Sequence, residues 1–180
     1  EAVFEFGVEA PRIARKAKAG QFLMLRIDED GERIPLTFSD WDAREGWVRF
    51  IFMRVGKTTH QLAHLEVGDG LADVVGPLGK PTHVEGLGRV AVIGGGVGAA
   101  VAYPVARAMA EAGSTVTVIL GARTADLLIL EDEFRALDGV EGVVTTDDGS
   151  AGEKALVTAP LKRLAVAGEI DNAMAIGPAI

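Results

Sequence analysis

The sequence contains no cysteine. Disulfides, thiolate catalysis, cysteine-bound zinc and cysteine-ligated iron–sulfur clusters are therefore excluded within its 180 residues. Basic side chains are also few. Eighteen lysines and arginines face 26 aspartates and glutamates, and the resulting charge of −8 repels a phosphate backbone, which argues against nucleic acid as a partner. No apolar run approaches the roughly 20 residues that a membrane-crossing helix needs. The opening EAVFEFGVEAP lacks the basic start and apolar centre of a secretion signal. These absences predict a cytoplasmic protein with no membrane partner. Among the three histidines, His60 and His64 are four apart and would share a helix face. With no acidic third ligand at a recognisable spacing they read as solvated, and no metal site is expected.

What is present is a hydrophobic composition of 48%, enough for a well-buried core. The texture changes at EGLG, residues 85 to 88, which divides the chain into expected domains of residues 1–86 and 87–180. Before the change, VFEFGV, QFLMLRI, GWVRFIFMRV and LADVV are strand-length runs rich in Val, Ile and Phe, separated by Gly, Pro and Asp. They predict a small antiparallel β-barrel or sandwich with one short helix in TTHQLAHLEVGD, N-capped by Thr58 or Thr59. After the change, apolar strands alternate with helical segments, which predicts an α/β domain on a parallel sheet. A helix starting near Gly98 should end at Gly113, with Pro104 awkward inside it.

The stretch VAVIGGGVGAAVAYPVARAM runs a hydrophobic strand into that helix. A helix N-terminus offers unpaired N–H groups and the positive end of the peptide dipoles, so a phosphate can sit there if no side chain blocks it. Gly94, Gly96 and Ala99 match the spacing G-x-G-x-x-G/A, with Gly95, Val97 and Gly98 completing a bare loop. Pyrophosphate binding is the expected role; a tight turn needing positive φ is the alternative. An acidic residue is missing where an ordinary dinucleotide-binding dehydrogenase would grip the ribose, because TVTVILGAR ends in Gly121, Ala122 and Arg123. Arg123 reads either as a contact to a 2′-phosphate or pyrophosphate or as a surface arginine.

In the first half, GERIPLTFSD sets an arginine, a proline, an apolar residue and a threonine within one strand. Simple packing does not call for that set. At this point the sequence resembles the ferredoxin–NADP reductase-like flavoproteins, and within them the branch of electron-transfer subunits associated with dihydroorotate dehydrogenase and NADH-dependent reduced ferredoxin:NADP oxidoreductase. The resemblance covers nearly the whole chain through GERIPLTFSD, VGKTTHQLAHLEVGD, DVVGPLGKP, the glycine opening, GARTADLLILEDEF, TTDDGSAGEKALVT and AIGPAI. It implies FAD on the barrel and NAD(H) or NADP(H) on the α/β domain. By match, Arg33 binds the flavin phosphates, Leu36 packs on the ring and Thr37 sits near flavin N5 as the catalytic residue, with Pro35 as the cofactor-binding motif's proline.

The resemblance further implies that Gly56, Lys57, Thr58 and Thr59 face the FAD pyrophosphate, although Thr58 also reads as a plain N-cap. Gly76 and Gly79 belong to a rigid loop near the cofactor or to an ordinary turn. Asp147, Asp148, Gly149 and Ser150 read as a nucleotide-contacting loop or as a solvated acidic turn. Gly177 and Pro178 follow Ile176, which stands where many relatives carry a cysteine.

The family also carries a [2Fe–2S] cluster on four cysteines beyond this point, so either the natural protein continues, which is expected, or the lineage has lost the cluster. The function implied is hydride exchange between NAD(P)H and FAD, with electrons leaving through that cluster to a larger partner subunit in a heterodimer, and ferredoxin as a redox partner. The alternatives are a nucleotide-binding regulatory subunit and a flavin-free dinucleotide-dependent dehydrogenase.

Overall fold

The computed structural model describes residues 2–177. They fall into two compact units, Glu1–Thr82 and His83–Ile180. Among the described residues no helix is long and apolar enough to cross a membrane.

The first unit runs β1 (Val3–Glu9), α1 (Pro11–Ala14), β2 (Phe22–Arg26), β3 (Ile34–Asp42), β4 (Trp47–Met53), α2 (Lys57–Leu62) and β5 (Asp73–Leu78). Its strands are antiparallel in the order β1-β4-β3-β2-β5, the antiparallel unit that the alternating runs predict. Strict alternation in β4 turns Val48, Phe50 and Phe52 inward. They meet Leu23, Leu25, Phe38, Ile13 and Leu62 in one core, and each such side chain stabilises by about 1.5–3 kcal/mol on burial. Phe4 stacks on Phe52, whose ring also takes the edge of Phe6. Register shifts between Phe38 and Asp40 and between Phe22 and Met24 interrupt the ladders.

Helix α2 corrects one expectation. Its N-cap is Gly56, and Thr58 and Thr59 both lie inside the helix. The Thr59 hydroxyl nevertheless serves the helix start, accepting from the Val55 and Gly56 N–H groups at 3.0 and 2.9 Å. His60 is in the helix and His64 beyond its end, each Nδ1 close to the carbonyl four residues earlier. Among the described residues no cluster of His, Asp and Glu could hold a metal ion.

The second unit runs β6 (Arg89–Gly95), a 3₁₀ turn (Gly96–Gly98), α3 (Ala99–Glu111), β7 (Thr115–Ala122), α4 (Glu131–Arg135), β8 (Val140–Thr146), β9 (Glu153–Lys154), α5 (Thr158–Val166) and β10 (Asn172–Ile176). All pairings are parallel, in the order β10-β6-β7-β8-β9. Ala91, Ile93 and Ile119 pack against Leu161 and Leu164 of α5 on one face. Val90, Val92, Val116 and Val118 alternate to the other face. Helices α3 and α4 meet through the edge-to-face rings of Tyr103 and Phe134. Pro104 is buried and α3 continues through it; Gly113, at φ +89°, follows the C-cap as expected.

At the N-terminal edge of this sheet Arg89 grips Asp171 through Nη2 at 2.6 Å and Nε at 3.1 Å, and its Nη1 donates to the Gly168 carbonyl. Hydrogen bonds from the Arg89 side chain, then from its backbone N–H, hold the Asp171 carboxyl down at about 2. The clamp ties β10 to β6 at the end remote from the glycine opening.

Candidate cofactor-binding sites

In the second unit the strand ends gather the expected residues. The order reverses at β6, because the chain proceeds outward through β7 and β8 on one side and returns as β10 on the other. Such a switch point is where an open α/β sheet leaves a crevice beyond the strand ends. The glycine opening lies there, and its glycines divide the work. A Cβ on Gly94 would stand 2.8 Å from the Ala99 Cα, and one on Gly98 would stand 2.4 Å from the Ile176 oxygen, so both permit close packing. Gly96 differs: its φ is +52° and nothing lies within 4 Å of where its Cβ would be. Gly96 thus leaves the backbone open to approach beside Gly95, in a strand-to-helix turn of the kind whose N–H groups can meet a phosphate. Gly177 lies close to Gly95. Pro178 lies outside the described residues.

At the end of β7, where the acidic ribose contact is missing, a neighbouring loop supplies carboxylates. Asp147 N–H donates to the Ala122 carbonyl at 3.1 Å and Asp148 N–H to that of Arg123 at 3.3 Å. The Asp148 carboxylate accepts from the Ser150 hydroxyl at 2.6 Å and from its N–H at 2.9 Å, which together lower its pKa. The Ser150 oxygen in turn accepts from Ala125 N–H at 2.8 Å, and Gly149 makes the turn at φ +81°. The Thr146 hydroxyl closes the base of the loop by donating to the Ala151 carbonyl.

In the first unit, cross-strand register locates the residues of GERIPLTFSD. Ile34 and Leu36 pair with Leu25 and Leu23, which are fully buried, and both pack against the core. Pro35 and Thr37 therefore lie on the other face, paired with Met24 and Phe22. Leu36, expected at the ring, is partly buried and lies on the core-facing side of β3. Phe22 also pairs with Leu78, so Thr37, Phe22 and Leu78 make one row across three strands. The Phe22 ring lies against Gly79 at φ +79°, where a Cβ would come within 3.0 Å of it. Gly76 is packed against Leu23 and Ile13.

Arg33 lies four residues before Thr37, roughly 13 Å along extended backbone. Its Nη2 donates to Asp73 Oδ2 at 2.8 Å. Helix α2 is brought beside this connection by Thr58, which is buried and donates to Glu32 at 3.4 Å. A cleft of about 260 Å³ lies between them, lined by Asp28, Asp30, Gly31, Glu32, Lys57, Thr58 and Gln61. Three carboxylates against one ammonium make the cleft itself unsuitable for a phosphate. The anion-seeking groups here are Arg33 and Lys57; the Gly56 N–H is already given to Thr59.

Sequence reasoning passed over three supporting residues. Buried Gln21 ties the Gly79 carbonyl through Nε2 at 3.0 Å, Phe22 backs Thr37, and Asp73 holds Arg33. DVVGPLG named the neighbourhood of Asp73, but its partner Arg33 lies 40 residues away in the chain and is met only in the folded unit.

An antiparallel five-stranded unit followed by a parallel α/β unit with a glycine opening is the fold shared with ferredoxin reductase-like structures. No family model matches the chain. A dihydroorotate dehydrogenase B (NAD(+)) electron transfer subunit homolog from Thermotoga maritima is 47% identical over 180 residues, covering all of this chain and 63% of that protein. The dihydroorotate dehydrogenase B (NAD(+)) electron transfer subunit of Bacillus caldolyticus is 30% identical, with 99% of this chain and 70% of that one covered. The solved NADH-dependent reduced ferredoxin-NADP oxidoreductase, described for flavin-based electron bifurcation, matches at TM-score 0.90 and 46% identity over 99% of this chain and 64% of that one. The chain belongs to the dihydroorotate dehydrogenase B electron transfer subunit family. It spans under two thirds of the length of the Thermotoga relative.

Proposed function

We propose that the chain is the flavin- and nicotinamide-binding portion of an electron-transfer subunit, which passes reducing equivalents between NAD(P)H and FAD. When bound, the two cofactors carry the reactive atoms, the nicotinamide exchanging a hydride with the flavin. The chain's residues bind and orient. Arg33 and Lys57 meet the flavin phosphates, Thr37 directs its hydroxyl to a ring nitrogen, and Phe22 holds that part of the sheet in place. Gly94–Gly98 accept the nicotinamide dinucleotide's pyrophosphate, and Asp147, Asp148 and Gly149 line its ribose side. No acid–base pair in the chain is called on.

The observation that carries this reading is the open backbone at Gly96, set at the switch point of a parallel sheet in a chain that also bears the Arg33–Thr37 strand. The family's name supports electron transfer as the wider role. By the family resemblance we further propose that a [2Fe–2S] cluster, held outside these cysteine-free 180 residues, passes electrons singly to a larger oxidoreductase subunit, with ferredoxin as a redox partner of the complex. Flavin content tests the first half: intact protein purified in the dark should release FAD on heating, and folded protein with neither bound FAD nor affinity for added FAD would end the reading.

A further inference from the structure

Asp73, the first residue of β5, places one carboxylate oxygen between two arginines. Its Oδ2 lies 2.7 Å from Arg26 Nε and 2.8 Å from Arg33 Nη2. The two contacts differ in kind. Arg26 is the direct register partner of Asp73 across β2 and β5, its Nη1 donates to the Glu29 carbonyl at 2.6 Å, and its side chain is only 21% exposed. That contact is a close approach of charges fixed by the sheet. Arg33 ends the connection between β2 and β3, is 56% exposed, and makes the aligned hydrogen bond.

The geometry points to Asp73 as a positioning residue that aims Arg33 at the flavin phosphates, an inference that rests on the flavin reading above. A guanidinium is planar and carries five donors in a fixed fork, so one N–H held on a carboxylate orients the plane and leaves donors for a phosphate. An unheld arginine would lose more side-chain freedom on binding. The evident objection is that an aspartate repels the phosphate it is meant to help attract. Arg26 removes that objection: two guanidiniums share one carboxylate, so the group keeps a net positive charge while its geometry is set. Arg26 neutralises Asp73, and Asp73 orients Arg33.

The test is calorimetric titration of FAD into flavin-stripped intact protein carrying Asp73→Asn, Arg33→Ala, or both. Asp73→Asn should weaken FAD binding by about 3- to 10-fold, the scale of a partly exposed ion pair. In the Arg33→Ala background the same change should have no effect, and Asp73→Glu should recover part of the loss. Equal losses in both backgrounds would overturn the proposal by making Asp73 a purely structural residue of the sheet. Unchanged or tighter binding would also overturn it, by making Asp73 a bystander or a competitor for Arg33. Should Asp73→Asn not fold, Arg26→Gln serves instead: it should weaken FAD in the presence of Arg33 and leave binding unchanged without it, and equal losses would overturn the inference. A wild-type protein that binds no FAD fails at an earlier point, and takes the flavin reading with it.

Discussion

A Cβ on Gly98 would lie 2.4 Å from the carbonyl oxygen of Ile176. Two strand ends and the start of α3 meet there through backbone alone, so any side chain must push β10 away from the helix. Gly98→Ala should therefore destabilise the second unit by about 1–3 kcal/mol, the usual range for forced overpacking, read as a lowered midpoint in urea.

Gly96 should respond through its ligand rather than its packing. Its surroundings are open, so Gly96→Val meets no steric wall and costs about 1–2 kcal/mol for a left-handed backbone. The protein should fold and keep its FAD while losing NADH binding, measured by titration. Undiminished NADH affinity would remove the phosphate role from this loop.

Thr37 has a hydroxyl where a methyl group would fit equally well. Thr37→Val should retain both cofactors and slow flavin reduction by roughly 10- to 100-fold, about 1.4–2.8 kcal/mol of lost positioning. Stopped-flow traces indistinguishable from wild type would take Thr37 out of the site.

The Arg89–Asp171 clamp predicts an acid limb for the second unit. Asp171 is held at about 2 when folded, below the roughly 3.9 of an unfolded aspartate. Its contribution is complete above about pH 4 and disappears as pH falls toward 2, because the unfolded chain takes up the proton first. The difference in melting temperature between wild type and Asp171→Asn should thus be constant near neutrality and shrink over that window. A difference that persists at pH 2 would contradict the assignment.

Much of this was legible in the sequence, for identifiable reasons. Alternation in GWVRFIFMRV and continuous apolar runs such as RVAVIGG directly reflect one-sided and two-sided burial, so both sheet types could be read. Local signals misled where two residues offered the same chemistry. Thr58 and Thr59 each look like an N-cap, yet Gly56 takes that position because the Thr59 side chain reaches back to it. Leu36 stands between Pro35 and Thr37, and only pairing with Leu23 turns it inward. Asp73 meets Arg26 only through β2 and β5 pairing, and the Asp147 loop reaches Ala122 only through β7 and β8 pairing. Contacts of that kind belong to register, which no local pattern encodes.

In the proposed function a nicotinamide bound by this chain exchanges a hydride with its flavin. The most direct test is the absorption spectrum of the intact, FAD-loaded protein under anaerobic conditions, before and after adding NADH or NADPH in separate cuvettes. Loss of the flavin band with at least one of the two nucleotides is the predicted result. A folded, flavin-loaded protein whose band both nucleotides leave untouched would contradict the account.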